Sequence, residues 1–112
     1  MKIFAQALDL KDNIELIQKY EQYHKNVWPE TLDGLKFVGV LRMRIWRVNN
    51  RLFMLMETTN EFNINEFQKY TDANPKAKEW NDLMMNFQQK IPNPTGEWWS
   101  PMSIAFDSEW FY

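Results

Sequence analysis

An α+β domain is predicted by three observations in this sequence. The opening segment is strand-like, later stretches carry apolar residues at helical spacing, and two strand-like arms are joined by Asn49-Asn50. The 112 residues, 45% hydrophobic and 25% charged, fit one compact domain over 1–112 and leave no room for a second.

Lys2 to Leu10 is apolar with polar interruptions and reads as the first strand, ended by Asp9-Leu10-Lys11-Asp12. Asp12 followed by Glu15 fits a capping box that opens a helix, along which Leu16, Tyr20, His24 and Val27 recur at helical spacing. Pro29 cannot continue that helix but suits the first turn of another, so Trp28-Pro29 marks a bend, with Leu32 and Leu35 anchoring the next helix. Val40 to Val48 and Arg51 to Thr58 form a hairpin about Asn49-Asn50, because Asn tolerates positive φ.

Asn63 to Tyr70 reads as a short helix, and Asn74-Pro75 supplies a cap and a first-turn proline for the next. That helix carries Ala77, Trp80, Met84 and Phe87 on one stripe, with Leu83 beside it. Pro92, Pro94, Gly96 and Pro101 mark an irregular connection around Trp98-Trp99, and Ser103 to Tyr112 reads as a last strand. Strand, helix, hairpin, helix, strand is the split β-α-β, ferredoxin-like sandwich.

The hairpin carries a further expectation. In its first arm Leu41, Met43 and Ile45 alternate with Arg42, Arg44 and Trp46; in its second, Leu52, Met54 and Met56 alternate with Phe53, Leu55 and Glu57. Both faces of the second arm are largely apolar, whereas a sheet covered by helices on one side should be polar on the other. A second subunit across the open face, as a two-fold homodimer, resolves this; a tail or loop folded over it is the competing solution.

A formal net charge of −2 with scattered basic residues gives no footprint for nucleic acid. No apolar run approaches the roughly 18 residues of a membrane span, and Met1-Lys2-Ile3-Phe4 opens into a strand without a signal-peptide core, so a cytoplasmic protein with no membrane partner is expected. Zero cysteines exclude disulfides, thiolate catalysis and sulfur-bound zinc, and one histidine removes most other zinc patterns. Chemistry free of metal and cofactor is the expectation. Six Trp, eight Phe and four Tyr exceed what a core needs and leave rings for a ligand such as a monosaccharide, or for a subunit contact.

His24 is the one histidine, in Tyr20-Glu21-Gln22-Tyr23-His24-Lys25-Asn26-Val27-Trp28-Pro29-Glu30. Its unperturbed pKa of about 6.5 lets it donate and accept a proton near neutrality. One helical turn separates it from Tyr20, so a small ligand could touch both. By spacing alone Tyr20 reads equally as core, Trp80 reads as core, and Glu79 reads either as a sugar hydrogen-bond acceptor or as a solvated helix residue.

The Tyr20-x-x-x-His24 pair, Trp28-Pro29-Glu30, the strand from Arg51 to Glu57, Trp80 and the terminal Glu109-Trp110-Phe111-Tyr112 together resemble the L-rhamnose mutarotase family nearly end to end. The resemblance implies a dimeric α/β barrel that interconverts the α and β anomers of a 6-deoxy-hexose. It assigns the proton donor to His24 and sugar contacts to Tyr20 and to an adjacent Trp pair, of which the second is kept here as Trp80 while the first is replaced by Glu79. A strand tyrosine of the family aligns with Met43. The Glu-Trp pair and the Arg-Leu-Phe-Met strand are similar to members associated with L-fucose.

Trp28-Pro29-Glu30 reads as structural, setting the bend and one wall of the site; Arg42 and Arg44 read as dimer contacts on the sheet face opposite the pocket, with an anion such as a sugar phosphate as the competing use. Because the same fold hosts cofactor-free oxygenases and ligand-sensing modules, an oxygenase or a sugar-sensing module is the competing reading.

Overall fold

The computed structural model describes residues 1–93 and 96–112; Pro94 of the expected irregular connection lies outside the described residues. The strands are β1 (Lys2–Leu10), β2 (Val40–Val48), β3 (Arg51–Thr58), β4 (Gln88–Gln89) and β5 (Ser100–Pro101). The helices are α1 (Ile14–Tyr23), α2 (Pro29–Val38), α3 (Ile64–Ala73) and α4 (Pro75–Met85). The sheet runs β2-β3-β1-β4, with β5 also paired to β1, and every pairing is antiparallel. It is the α+β, ferredoxin-like arrangement expected from the sequence.

The hairpin closes through Asn49 at φ +55°, the left-handed conformation that asparagine accepts at modest cost. Asn50 then ties the turn to β1: its carbonyl accepts from Leu10 N–H and its amide donates to Leu10 O. Between Val40 and Arg42 the register slips, so Leu41 is the extra residue of a bulge and lies 61% exposed instead of joining Met43 and Ile45 on the buried face.

Leu52, Met54, Met56 and Thr58 of β3 point under the helices and are buried, as are Leu8 and Leu10 of β1. Two apolar clusters fill the space between. One joins Leu10, Ile17, Tyr20, Leu52, Trp80, Met84 and Phe87, and the other joins Val40, Met54, Met56 and Phe62; Ile45 and Trp99 pack against both. On the other face Phe53, Leu55 and Glu57 alternate with the buried set and stand beside Trp46, Arg44 and Arg42. The arginines therefore lie opposite the helices, as expected.

Helix α1 is capped one residue later than the sequence suggests. Asn13, not Asp12, accepts from Glu15 N–H and Leu16 N–H. It also ends at Tyr23 rather than running to Val27, since Trp28, held extended before Pro29, must already serve as the N-cap of α2. In α2, Leu35 packs on the second cluster, whereas Leu32, expected to anchor the helix, is 44% exposed and belongs to neither cluster. Gly34 is buried there because α3 crosses closely: a Cβ would lie 2.5 Å from Tyr70 Cε1.

Asn63 and Asn74 cap α3 and α4 by side-chain acceptance, with Pro75 in the first turn of α4 as the sequence predicts; α3 runs on to Ala73. The expected last strand differs. The edge of β1 is taken by Gln88–Gln89 and Ser100–Pro101, prolonged by Met102 N–H to Ala5 O. Beyond it Asp107 accepts from Glu109 N–H and starts a 3-10 turn over Ser108–Trp110, a local side-chain bond that outcompetes strand pairing.

Candidate active site

Trp80 is the centre of an aromatic cluster under the helices. On α4 it shares a buried stripe with Ala77 and Met84, at the helical repeat that the sequence shows. Its ring meets three others edge-on: His24 at 5.4 Å, Trp28 at 5.3 Å and Tyr23 at 6.2 Å between centroids. The Tyr20 and His24 rings lie 4.2 Å apart, the neighbourhood that i and i+4 positions create at the end of α1. The structure thus brings Tyr20, His24 and Trp80 together, with Trp28 as a further wall.

The end of α1 fixes the state of His24. The Tyr20 carbonyl accepts the His24 backbone N–H at 3.2 Å and also lies 2.9 Å from Nδ1. A carbonyl only accepts, so Nδ1 carries a proton, and the neutral ring presents a lone pair at Nε2. Burial holds the imidazole below its usual pKa of 6.5, with the Tyr20 bond partly opposing. Burial likewise pushes the Tyr20 phenol well above its ordinary range, with the nearby Gln88 amide partly opposing. Nothing in the sequence singled out Gln88; it comes near Tyr20 only once β4 is laid beside β1.

Glu79 is not brought to this cluster. It faces solvent on α4 and pairs with Lys76 at 3.2 Å, and the Lys76 ammonium also lies 5.6 Å over the Trp28 ring. Glu79 therefore sits on the rim, linked to the cluster through Lys76 and Trp28. Next to it a groove of about 630 Å³ is lined by Lys19, Gln22, Tyr23, Asn26, Trp28, Leu83 and Phe87. Met43 packs on the second apolar cluster, whereas Tyr20 and Trp80 belong to the first.

Among the described residues no three His, Cys, Asp or Glu side chains are grouped to hold a metal ion, and no helix is long and apolar enough to cross a membrane.

Residues 3–108 match the family model for L-rhamnose mutarotase. The chain belongs to the L-rhamnose mutarotase family. Members of that family are isomerases acting on sugars. An L-fucose mutarotase of Xanthomonas campestris is 32% identical over 109 residues, covering 95% of this chain and 87% of that protein. A UPF0734 protein of Dictyostelium discoideum is 48% identical over 115 residues, covering 98% and 92%.

Solved structures agree on the fold. An L-rhamnose mutarotase from Formosa agariphila superposes with a TM-score of 0.69 at 24% identity, covering 96% of this chain and 98% of that one. A dimeric ferredoxin-like protein from an uncultured marine organism superposes at 0.57 and 18% identity, covering 94% and 90%.

Proposed function

We propose that this member of the mutarotase family interconverts the α and β anomers of a 6-deoxy-L-hexose, L-fucose or L-rhamnose, with His24 as its proton-transfer group. The observation that carries the reading is the tied-off imidazole beside Tyr20 and Trp80. Its Nδ1–H is committed to the Tyr20 carbonyl, and the burial that keeps the ring neutral leaves Nε2 ready to accept. A neutral ring in this tautomer must take a proton before it can give one.

On opening, Nε2 takes the proton of the anomeric O1–H as C1=O1 forms and the C1–O5 bond breaks. The resulting imidazolium returns that proton to O5. Rotation about C1–C2 presents the other carbonyl face, and closure runs the two transfers backwards, so no net proton is gained or lost. One positioned histidine contributes a factor of about 10² to 10⁴, sufficient for a reaction that already proceeds in water.

In this reading Tyr20 orients a sugar hydroxyl and Trp80 meets the apolar side of the ring and its 6-methyl group. Glu79 reaches a sugar only by releasing Lys76. The active unit is a homodimer closed across the open sheet face. Supporting this, the apolar tail residues Ile104, Phe106 and Phe111 remain 68%, 69% and 75% exposed, and Trp46 on the open face is 46% exposed.

The test is magnetisation exchange between anomeric protons of L-fucose, L-rhamnose and D-glucose, with and without protein at neutral pH. Faster exchange for a 6-deoxy-L-sugar supports the reading and names the substrate. Sugar binding without faster exchange makes the protein a sensing module instead.

A further inference from the structure

The sheet face away from the helices carries one charge that its own chain does not neutralise. Asp9 pairs with Arg51 at 2.8 Å, and Glu57 stands across from Arg42 in the β2–β3 register. Arg44 has neither. Among the described residues it joins no ion pair, its Nε is buried without a hydrogen-bond partner, and its guanidinium carbon lies 5.1 Å from the centre of the Trp46 ring. A buried donor on a charged group is costly until an acceptor meets it.

The same chain carries an acceptor without a donor. Residues 102–112 hold Asp107 and Glu109 but no Lys or Arg, among large apolar side chains. Asp107 accepts from the N–H of Glu109, whereas the Glu109 side chain is exposed and joins no ion pair among the described residues. Around it Phe106, Trp110 and Phe111 are 69%, 60% and 75% exposed.

Register links the two. Met102 N–H donates to Ala5 O, Ala5 pairs with Leu55, and Leu55 pairs with Arg44, so the tail leaves the sheet in the row of Arg44. Within one copy β1 and β3 lie between the tail and that arginine. A two-fold axis along β3 near Leu55 instead turns the Ala5 end of the row over the Arg44 end of a second copy. Stacked sheets are about 10 Å apart, and the residues from Ser103 to Glu109 can span up to roughly 23 Å.

Resting on the homodimer of the proposed function, we propose that the two copies exchange tails. Glu109 of each copy accepts from the Arg44 guanidinium of the other, and Phe106, Trp110 and Phe111 cover Phe53 and Leu55 of that second sheet. Acid meets base and apolar meets apolar, and the two-fold axis makes the bond twice in each dimer.

The test is the dimer dissociation constant, by sedimentation equilibrium, of wild type, R44E, E109R, the double variant R44E/E109R and an equimolar mixture of the two single variants. Each single variant loses two charge-assisted bonds per dimer, so its dissociation constant should rise roughly 100-fold. In the mixture the unchanged Glu109 of one variant meets the unchanged Arg44 of the other, and the two introduced charges meet each other. Both the mixture and the double variant should therefore recover most of the wild-type affinity.

Recovery in the double variant without recovery in the mixture puts each tail on its own sheet and overturns the exchange. Single variants that dimerise like wild type overturn it too. If R44E does not fold, a chain ended at Met102, which keeps β5 and the Met102 bond to Ala5, replaces it: wild-type affinity overturns the proposal, and a loss of the same size as in E109R supports it. These readings do not use activity, so a failure of the mutarotase chemistry leaves them intact. A wild type that sediments as a monomer defeats the homodimer and the exchange together.

Discussion

The Nδ1 of His24 lies 2.9 Å from the carbonyl oxygen of Tyr20, one helical turn earlier in the chain. The last turn of α1 thus does two things with one acceptor: it closes the helix through the His24 backbone N–H and selects the tautomer of the His24 ring. His24 keeps helical φ and ψ (−76°, −5°) as the C-cap of α1, and its ring packs against those of Tyr20 and Trp80.

The first prediction concerns the other nitrogen of that ring, Nε2. His24→Ala should lower the catalysed anomer exchange by about 10² to 10⁴ at saturating sugar, the usual contribution of a positioned acid/base group. Exchange NMR on the folded variant checks it, and a variant that keeps the full wild-type rate removes His24 from the mechanism.

The second is the pH dependence. Because burial lowers the folded-state pKa of His24 below 6.5, the lone pair that the proposed mechanism uses should survive mild acid, and the acid limb of the rate profile should fall below pH 6.5. Stability should move the same way. Below 6.5 the unfolded chain binds a proton that the folded ring refuses, so His24 makes the fold less stable as pH falls from 6.5 to the lowered value, and no further below it. Thermal melts across that window should show a slope that is reduced in His24→Ala.

A third prediction tests the close crossing of α2 and α3. In Gly34→Ala the new methyl would lie 2.5 Å from Tyr70 Cε1, and the Tyr70 ring has little room to yield: it packs against Phe37 at 5.3 Å while its hydroxyl accepts from Asn74 Nδ2 at 3.2 Å. Overpacking of this kind costs about 1 to 3 kcal/mol, against about 1 kcal/mol gained in helix propensity. A melting temperature below wild type is expected, and one above it would mean that the helices separate freely.

Much of this architecture is written in local chemistry. Asn49-Asn50 and Asn74-Pro75 each specify a backbone geometry that few other pairs satisfy, and both form as read. The misread elements are those where two local solutions compete. Asp12 and Asn13 can each cap α1, and only the path of the chain out of β1 chooses Asn13. Ser103 to Tyr112 has strand-like composition, yet the Asp107 side chain bends it.

The site divides in the same way. Tyr20 and His24 are neighbours by helical period alone, whereas the contacts of Trp80 with His24 and Trp28 depend on how the helices meet. No periodicity carries that information, and the family resemblance supplied the Trp80 assignment.

The last prediction is the dimer. Leu55 lies on the open face opposite Arg44, and the neighbouring Trp46 and Phe53 rings sit 5.6 Å apart with Trp46 still 46% exposed. In a two-fold dimer a residue near the axis approaches its own copy, so Leu55→Glu would bring two carboxylates together in a desolvated interface. The helix-facing side of β3 is untouched, so the monomer should keep its fold. Light scattering should return twice 13.7 kDa for wild type and 13.7 kDa for Leu55→Glu, with unchanged far-ultraviolet circular dichroism. A wild type that scatters as a monomer would leave Phe53, Leu55 and Trp46 facing water and would sink the dimer.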